Sequence, residues 1–337
     1  MTRVAVTGAA GHIGANLVRL LLASGHEVRV LVHQDTRGIE GLDVERVPGD
    51  VRNVESLREL LAGAEVLYHL AGKRSLDGDQ GGLVQEINVE GTRNVVTAAL
   101  DNKGCRMVHV SAIHAFDLTP GKPITESGRR ASSARHSAYG RSKAVAEEQV
   151  RQGVERGLDA VILNPTLVIG PYDFGPSYMG RMLLLLQQRR LPALIEGGFH
   201  WLDARDLCQT MLVAAERGKR GENYILTGQY ASLRELAQLS SAITEVPPPR
   251  VTTPQWVARL GAPFATLGAR IFHRDPLFTT ESLATLCAER RIPDTKARDA
   301  LGHDPRPLRQ TIEDTYLWFR EAGFCPTLST VNREPHH

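Results

Sequence analysis

Short apolar runs alternate with segments of helical spacing along the first half of the chain. Val4–Thr7 is an apolar run that ends in a glycine-rich loop, and Ile13–Leu22 then repeats apolar residues at the spacing of one helix face. Val28–Val32 and Val44–Val47 predict two further strands, Val54–Leu61 a helix, Glu65–Leu70 a strand, Leu83–Leu100 a helix and Arg106–Val110 a strand. Tyr139–Val154 has helical spacing again, and Ala160–Leu163 returns to strand. Strands that are apolar at nearly every position are buried on both faces, so the pattern predicts an α/β architecture, a doubly wound parallel sheet covered by helices on both sides. Such a sheet binds ligands at the carboxyl ends of its strands.

The texture changes after Asn164–Pro165. Gly170–Gly180 is rich in glycine, proline and tyrosine and reads as loop; Trp201–Asp206 leads into a helix; Asn223–Leu226 looks like a late strand returning to the sheet. From Ser232 onward the pattern is mostly helical. Trp256, Val257, Leu260, Phe264, Leu267 and Ile271 form a stripe that reads as buried packing, interrupted by Pro263. The expected division is a sheet domain over 1–170, with 201–228 returning to it, a smaller, mostly helical substrate-binding portion over 171–200 and 229–330, and a tail over 331–337.

Composition narrows the function classes. A net charge of +2 over 337 residues argues against a nucleic-acid binder, and arginine pairs such as Arg129–Arg130 read as solvated surface. The four cysteines, at 105, 208, 287 and 325, are widely spaced, which predicts neither a disulfide framework nor a zinc site. No metal-ligand cluster has convincing spacing. No apolar run approaches a membrane span, and no signal pattern precedes the first strand, so a cytoplasmic location is expected.

Chemistry enters with Thr7-Gly8-Ala9-Ala10-Gly11-His12-Ile13-Gly14, a glycine loop that follows a strand and opens a helix. Glycines let the backbone turn tightly and approach a pyrophosphate, and the helix N-terminus offers that anion unpaired N–H groups. Tyr139 and Lys143 stand four apart on a predicted helix, hence on one face. An ammonium near a phenol favours the phenolate, which suits the tyrosine to acid/base work.

These segments resemble the extended short-chain dehydrogenase/reductases, the NAD-dependent epimerase/dehydratase family, in its dihydroflavonol-reductase-like or 3β-hydroxysteroid-dehydrogenase-like groups. The resemblance runs in order along nearly the whole chain. It takes in the G-x-x-G-x-x-G loop, Gly49-Asp50-Val51, His69-Leu70-Ala71-Gly72, Asn88-Val89-Glu90-Gly91-Thr92, Tyr139-Gly140-Arg141-Ser142-Lys143, Asn164-Pro165-Thr166, Trp201–Asp206 and Asp294–Gly302. It implies a Rossmann domain and an NAD(P)-dependent oxidoreductase with Tyr139 as acid/base and Lys143 beside the nicotinamide ribose. Gly8, Gly11, His12, Ile13, Gly14, Asp50, Val51, Leu70, Ala71, Gly72, Asn88, Pro165 and Thr166 are its expected coenzyme contacts. It also implies a homodimer, paired through the Leu83–Leu100 and Tyr139-bearing helices.

The pattern departs from the family in two places. In Val108-His109-Val110-Ser111-Ala112-Ile113-His114, Ala112 stands where the family's catalytic serine is expected. Side chains alternate along a strand, so Ser111 should face away from Ala112, and His114 share its side. Three readings follow: a bulge makes Ser111 catalytic, His114 or a water orients the substrate, or the protein binds a dinucleotide with impaired redox chemistry. At the end of the second strand Val32 replaces the acid that grips an NAD ribose, and His33 and Arg37 follow. Cations suit a 2′-phosphate, so NADP is favoured, with NAD as the alternative. Lys73, His114, Tyr172 and Trp201 are candidate substrate-lining residues, and an apolar lining suits a carbonyl compound or its alcohol. Reduction of a ketone or aldehyde is the leading expectation. A sugar-nucleotide epimerase or dehydratase and a dinucleotide-binding regulator are its rivals.

Overall fold

The structure, a computed structural model, describes residues 2–75, 78–119, 124–257 and 292–325. Its strands are β1 (Arg3–Thr7), β2 (Glu27–Val32), β3 (Glu45–Pro48), β4 (Val66–His69), β5 (Arg106–Val110), β6 (Asp159–Pro165), β7 (Leu167–Ile169), β8 (Leu194–Ile195), β9 (Gly198–Asp203), β10 (Asn223–Leu226), β11 (Gln229–Ser232) and β12 (Thr252–Thr253). Seven of them form one all-parallel sheet in the order β3-β2-β1-β4-β5-β6-β10. The chain reverses its direction of winding between β1 and β4, and in a doubly wound sheet that crevice is where ligands bind.

Helices α1 (His12–Ala23), α2 (Val54–Leu61), α3 (Leu83–Gln85), α4 (Gly91–Asp101) and α5 (Ala138–Glu155) flank the sheet, followed by α6 (Tyr178–Gln187), α7 (Ala204–Arg217) and α8 (Leu233–Thr244). The last two are α9 (Thr295–Leu301) and α10 (Leu308–Glu321). Leu17, Val18 and Leu21 of α1 and Leu207, Met211 and Ala214 of α7 pack on one face of the sheet. Leu57, Leu60 and Leu61 of α2, Val95 and Val96 of α4 and Val150 of α5 pack on the other. This two-sided burial is what the apolar strands require.

The element that sequence treated as one helix from Leu83 to Leu100 contains a π-helical turn over Glu86–Glu90, between α3 and α4. That turn carries Asn88, and π turns of this kind often sit at functional sites. The loop expected over Gly170–Gly180 ends early: Ser177 caps α6 by accepting a hydrogen bond from the Gly180 N–H at 3.1 Å.

A second unit grows from a single-residue crossing. β6 ends at Pro165 in the large sheet and β7 begins at Leu167 in a three-stranded sheet of order β11-β9-β7, so only Thr166 separates the two sheets. Trp201, Leu183, Leu236, Ile312 and Phe319 are among the residues that fill the core of this unit. The chain then returns: Asp203 caps α7, which covers the large sheet, and β10 extends that sheet. One segment expected in the smaller portion also returns, because Ala297 and Leu301 of α9 pack in the large-sheet core. Trp256 and Val257 are exposed, and the rest of their stripe, with Pro263, lies outside the described residues.

Phe319 is fully buried among Trp318, Tyr316 and Phe324. Phe319→Ala should cost about 3–5 kcal/mol of stability, read as a lower urea midpoint; an unchanged midpoint would refute this packing.

Candidate active site

The glycine loop joins β1 to α1 at the mouth of the β1/β4 crevice. Gly8 has φ +73°, and a Cβ there would lie 2.7 Å from the Ala71 nitrogen, so only glycine lets the loop lie against the end of β4. Gly11 forms the N-cap of α1 with no side-chain cap and no acidic residue in the first turn. The helix end therefore keeps donors and a favourable dipole for an anion. His12 ties the loop to the second unit, its Nε2 lying 3.2 Å from the Gly170 carbonyl and 3.1 Å from that of Pro171.

Gly8, Gly11, His12, Ile13, Gly14, Leu70, Gly72, Tyr139, Lys143, Pro165 and Thr166 line one cleft at the carboxyl ends of β1, β4, β5 and β6. Val110, Ser111, Ala112 and His114 complete its β5 side, and Arg74 and Ser177 also border it. The buried hydroxyl of Thr166 has no hydrogen-bond partner among the described residues. A glycine cradle, an uncapped helix end and an orphan hydroxyl on one wall fit a bound dinucleotide.

Other expected coenzyme residues stand behind or outside this wall. Asn88 braces it: its Oδ1 accepts from the Lys73 N–H at 2.6 Å, and its Nδ2 donates to the Lys73 carbonyl and to Ser142 Oγ on α5. The Ala71 N–H donates to Thr7 Oγ1, and Val51 is packed inward. His33, Arg37 and Asp50 lie beyond the end of β2. Arg37 pairs with Asp35 at 2.7 Å, and His33 Nε2 sits 3.3 Å from Asp50.

Two substrate candidates belong to packing instead of the cleft. Trp201 is buried and donates its Nε1–H to the Ala231 carbonyl, while Tyr172 stacks near Phe174 and Trp318 under the Arg19 guanidinium. Their aromatic character drew attention, but aromatic residues serve cores at least as often as pockets. Lys73 contributes its backbone to Asn88, and its neighbour Arg74 reaches the cleft; nothing in the local sequence separates the two cations.

The reactive helix is held from several sides. Ser137 caps α5 by accepting from the Gly140 N–H at 2.9 Å. A Cβ on Gly140 would lie 2.6 Å from the His114 carbonyl oxygen, so this glycine lets α5 rest directly on the turn after β5. Tyr139 and the His114 ring consequently meet edge to face, centroids 5.7 Å apart. Ser111 sends its hydroxyl to buried Glu147 at 2.6 Å, which commits it to the interior. Lys143 is buried and donates to the Val110 carbonyl at 2.8 Å.

Burial sets the charges. It pushes the Lys143 ammonium down to about 8, with Glu147 opposing the shift, and holds the Tyr139 phenol above its ordinary value, opposed by Arg74. Burial thus opposes the phenolate that a neighbouring ammonium would favour. His114 is pushed down to about 3 by burial and then by Arg74, and His69 to about 3 by burial and then by Lys143. Both imidazoles are neutral at physiological pH. His69 bridges Thr7 and Thr92, whereas fully buried His109 has a partner for neither ring nitrogen among the described residues.

Residues 4–226 match the model of the NAD dependent epimerase/dehydratase family. The chain belongs to this family. Sterol demethylase protein B of Methylococcus capsulatus is 37% identical over 94% of this chain and 98% of its own length. A putative dihydroflavonol 4-reductase of Synechocystis is 32% identical over 96% of each chain. The crystal structure of gox2253 superposes with a TM-score of 0.82 at 34% identity, covering 96% of this chain and 98% of that one. In this epimerase/dehydratase-family protein of extended short-chain dehydrogenase/reductase type, Tyr139 and Lys143 line the cleft, and Ala112 borders it from the segment that follows β5. Among the described residues there is no group of side chains that could hold a metal, and no helix is long and apolar enough to cross a membrane.

The depressed Lys143 value has a definite sign. The folded state releases this proton near pH 8 and the unfolded chain near 10.5, so native stability lost to the buried charge is recovered across that window. Relative to Lys143→Met, the native protein should gain about 3 kcal/mol between pH 8 and 10.5. Urea melts at several pH values measure it, and a constant difference would sink the assignment. Gly8→Ala should separately abolish dinucleotide binding while leaving a folded far-ultraviolet spectrum.

Proposed function

We propose that this protein is an NADPH-linked oxidoreductase that reduces an apolar ketone or aldehyde, or oxidises the corresponding alcohol. The observation that carries the reading is the contact between two cavities. The glycine-lined cleft shares His114, Thr166 and Leu167 with a second cavity walled by Ile113, Leu118, Phe199, Tyr230 and Ile292, with His200 at its edge. A carbonyl group at that junction would lie beside Tyr139, with its apolar body turned toward the apolar side of the second cavity. The side formed by Ile113, Leu118, Phe199 and Ile292 suits such a body better than a nucleotide sugar, whose many hydroxyls need partners. The name of one relative, sterol demethylase protein B, and that of the dihydroflavonol reductase point the same way.

When bound, the nicotinamide supplies or takes the hydride. The chain's own residues do the rest. Gly8, Gly11 and the start of α1 would hold the pyrophosphate, and Lys143 the ribose beside the nicotinamide. Tyr139, kept protonated by burial, gives its proton to the substrate oxygen in reduction. Lys143, poised near 8, lies close enough to ambient pH to help restore that proton. Partnering through α4 and α5 is part of the proposal, and Val145 of α5 is an exposed apolar residue suited to such a face.

Arg37 and His33 support NADP as the coenzyme. Arg37 is exposed and held by Asp35 alone among carboxylates of the described residues, so a 2′-phosphate would compete with Asp35 for it. In fluorescence titrations NADPH should bind at least tenfold tighter than NADH, about 1.4 kcal/mol. Asp35→Asn should tighten NADPH, and Arg37→Ala should erase the preference. Tighter NADH binding by the native protein would overturn the NADP assignment, and tightly retained NAD would favour the epimerase or dehydratase alternative.

A further inference from the structure

Ala112 places a side chain without a hydrogen-bond donor at the cleft, directly after a serine whose hydroxyl is taken. Reduction leaves negative charge on the substrate oxygen until it is protonated, and a second donor beside the acid stabilises that charge. Ala112 borders the cleft and offers no donor, and Ser111 is spent on Glu147. Lys143 donates to the Val110 carbonyl, and His12 faces two carbonyls of the second unit. His114 differs from these. Its ring borders both cavities, meets the Tyr139 ring edge to face, and is hydrogen-bonded by none of the described residues.

Resting on the oxidoreductase reading above, we propose that His114 is a catalytic residue that donates a hydrogen bond to the substrate's carbonyl oxygen, filling the role left open by Ala112. In reduction the carbonyl carbon gains the hydride supplied by the reduced nicotinamide. The carbonyl π pair moves onto oxygen, and Tyr139 gives that oxygen its proton, which solvent then restores to Tyr139 with the help of Lys143. His114 keeps its N–H throughout. A neutral imidazole carries one N–H donor and is far too weak an acid to surrender it, so it polarises the carbonyl without competing with Tyr139 for the proton transfer. The surroundings keep it in that form: burial and the Arg74 charge both oppose protonation. Its position is fixed by the close passage of Gly140 over the His114 carbonyl, which locks donor and acid to one turn of α5. The rival donor on the same wall is the unpartnered Thr166 hydroxyl.

The test uses the full chain with NADPH and the bicyclic ketone 2-decalone. His114→Phe should lower kcat about a hundredfold with the dissociation constant for NADPH within twofold of native. His114→Gln, which retains an N–H, should stay within tenfold, with the pH profile unchanged because His114 does not titrate in the working range. Ala112→Ser added to His114→Phe should restore at least tenfold. Native-like turnover by His114→Phe would overturn the proposal, as would equal losses in the Phe and Gln variants with no rescue by serine. A larger loss in Thr166→Val than in His114→Phe would assign the donor to Thr166 instead. Should the native protein bind NADPH yet turn over no decalone, decalone affinity of the coenzyme complex decides: tenfold weakening by His114→Phe supports the contact, and equal affinity removes it. Failure of the native protein to bind either dinucleotide defeats the oxidoreductase reading and the role of His114 with it.

Discussion

Glu147 is a carboxylate with no access to solvent, and the site depends on what gathers around it. Its two oxygens take the hydroxyl of Ser111 just after β5, the amide of Asn164 on β6, and the guanidinium groups of Arg130 and Arg151. An unpaired buried carboxylate costs several kcal/mol, so these partners are required by its burial. Their arrangement joins α5 to the ends of two central strands and to the segment at Arg130. One turn earlier on the same helix Lys143 is pressed against the Val110 carbonyl, and a further turn back Tyr139 faces the cleft. The reactive groups are therefore positioned by a polar junction inside the protein, where most of the surrounding core is aliphatic.

The same junction explains why the serine that follows β5 is turned to structural use. With its hydroxyl on Glu147, Ser111 is part of the clamp, and the next two cleft-facing positions, Ala112 and His114, are left to determine what meets the substrate. Arg74 completes the electrostatics from the loop after β4. It opposes protonation of His114 and favours the phenolate of Tyr139, but burial outweighs it at the phenol. A protonated acid beside a neutral imidazole is the outcome.

Much of this was legible from local pattern. The strands are apolar at both faces and the helices at one, so their order and nearly their bounds follow from periodicity. The glycine loop declares itself because a strand precedes it and a helix follows. Strand alternation does not reach Ser111 and Ala112, because β5 ends at Val110 and both residues border the cleft; the hydrogen bond to Glu147 is what sets Ser111 apart. What escaped was set by tertiary geometry. Arg74 and Lys73 are adjacent cations, and only the bracing of the Lys73 backbone by Asn88 decides which of them reaches the cleft. Tyr172 and Trp201 carry the same aromatic signal as Phe199 and Tyr230, yet the former two are turned into packing. The return of α9 to the large sheet depends on contacts almost seventy residues from the strand it covers, and the influence of burial on Tyr139 is invisible until the fold surrounds it.

The passage of the chain from one sheet to the other through Thr166 alone has an evolutionary consequence. On the oxidoreductase reading, the wall that would face a substrate's body is drawn largely from the small sheet and the segments beside it, while the glycine cradle belongs to the large one. Among the described residues, only His114, Thr166 and Leu167 border both cavities. On that reading, drift at Phe199, Tyr230 or Ile292 can retune which molecules are accepted without touching the glycine loop, Tyr139 or Lys143. Change at the three shared positions alters selectivity and chemistry together, and lineages built on this plan should diversify in the first set far faster than in the second.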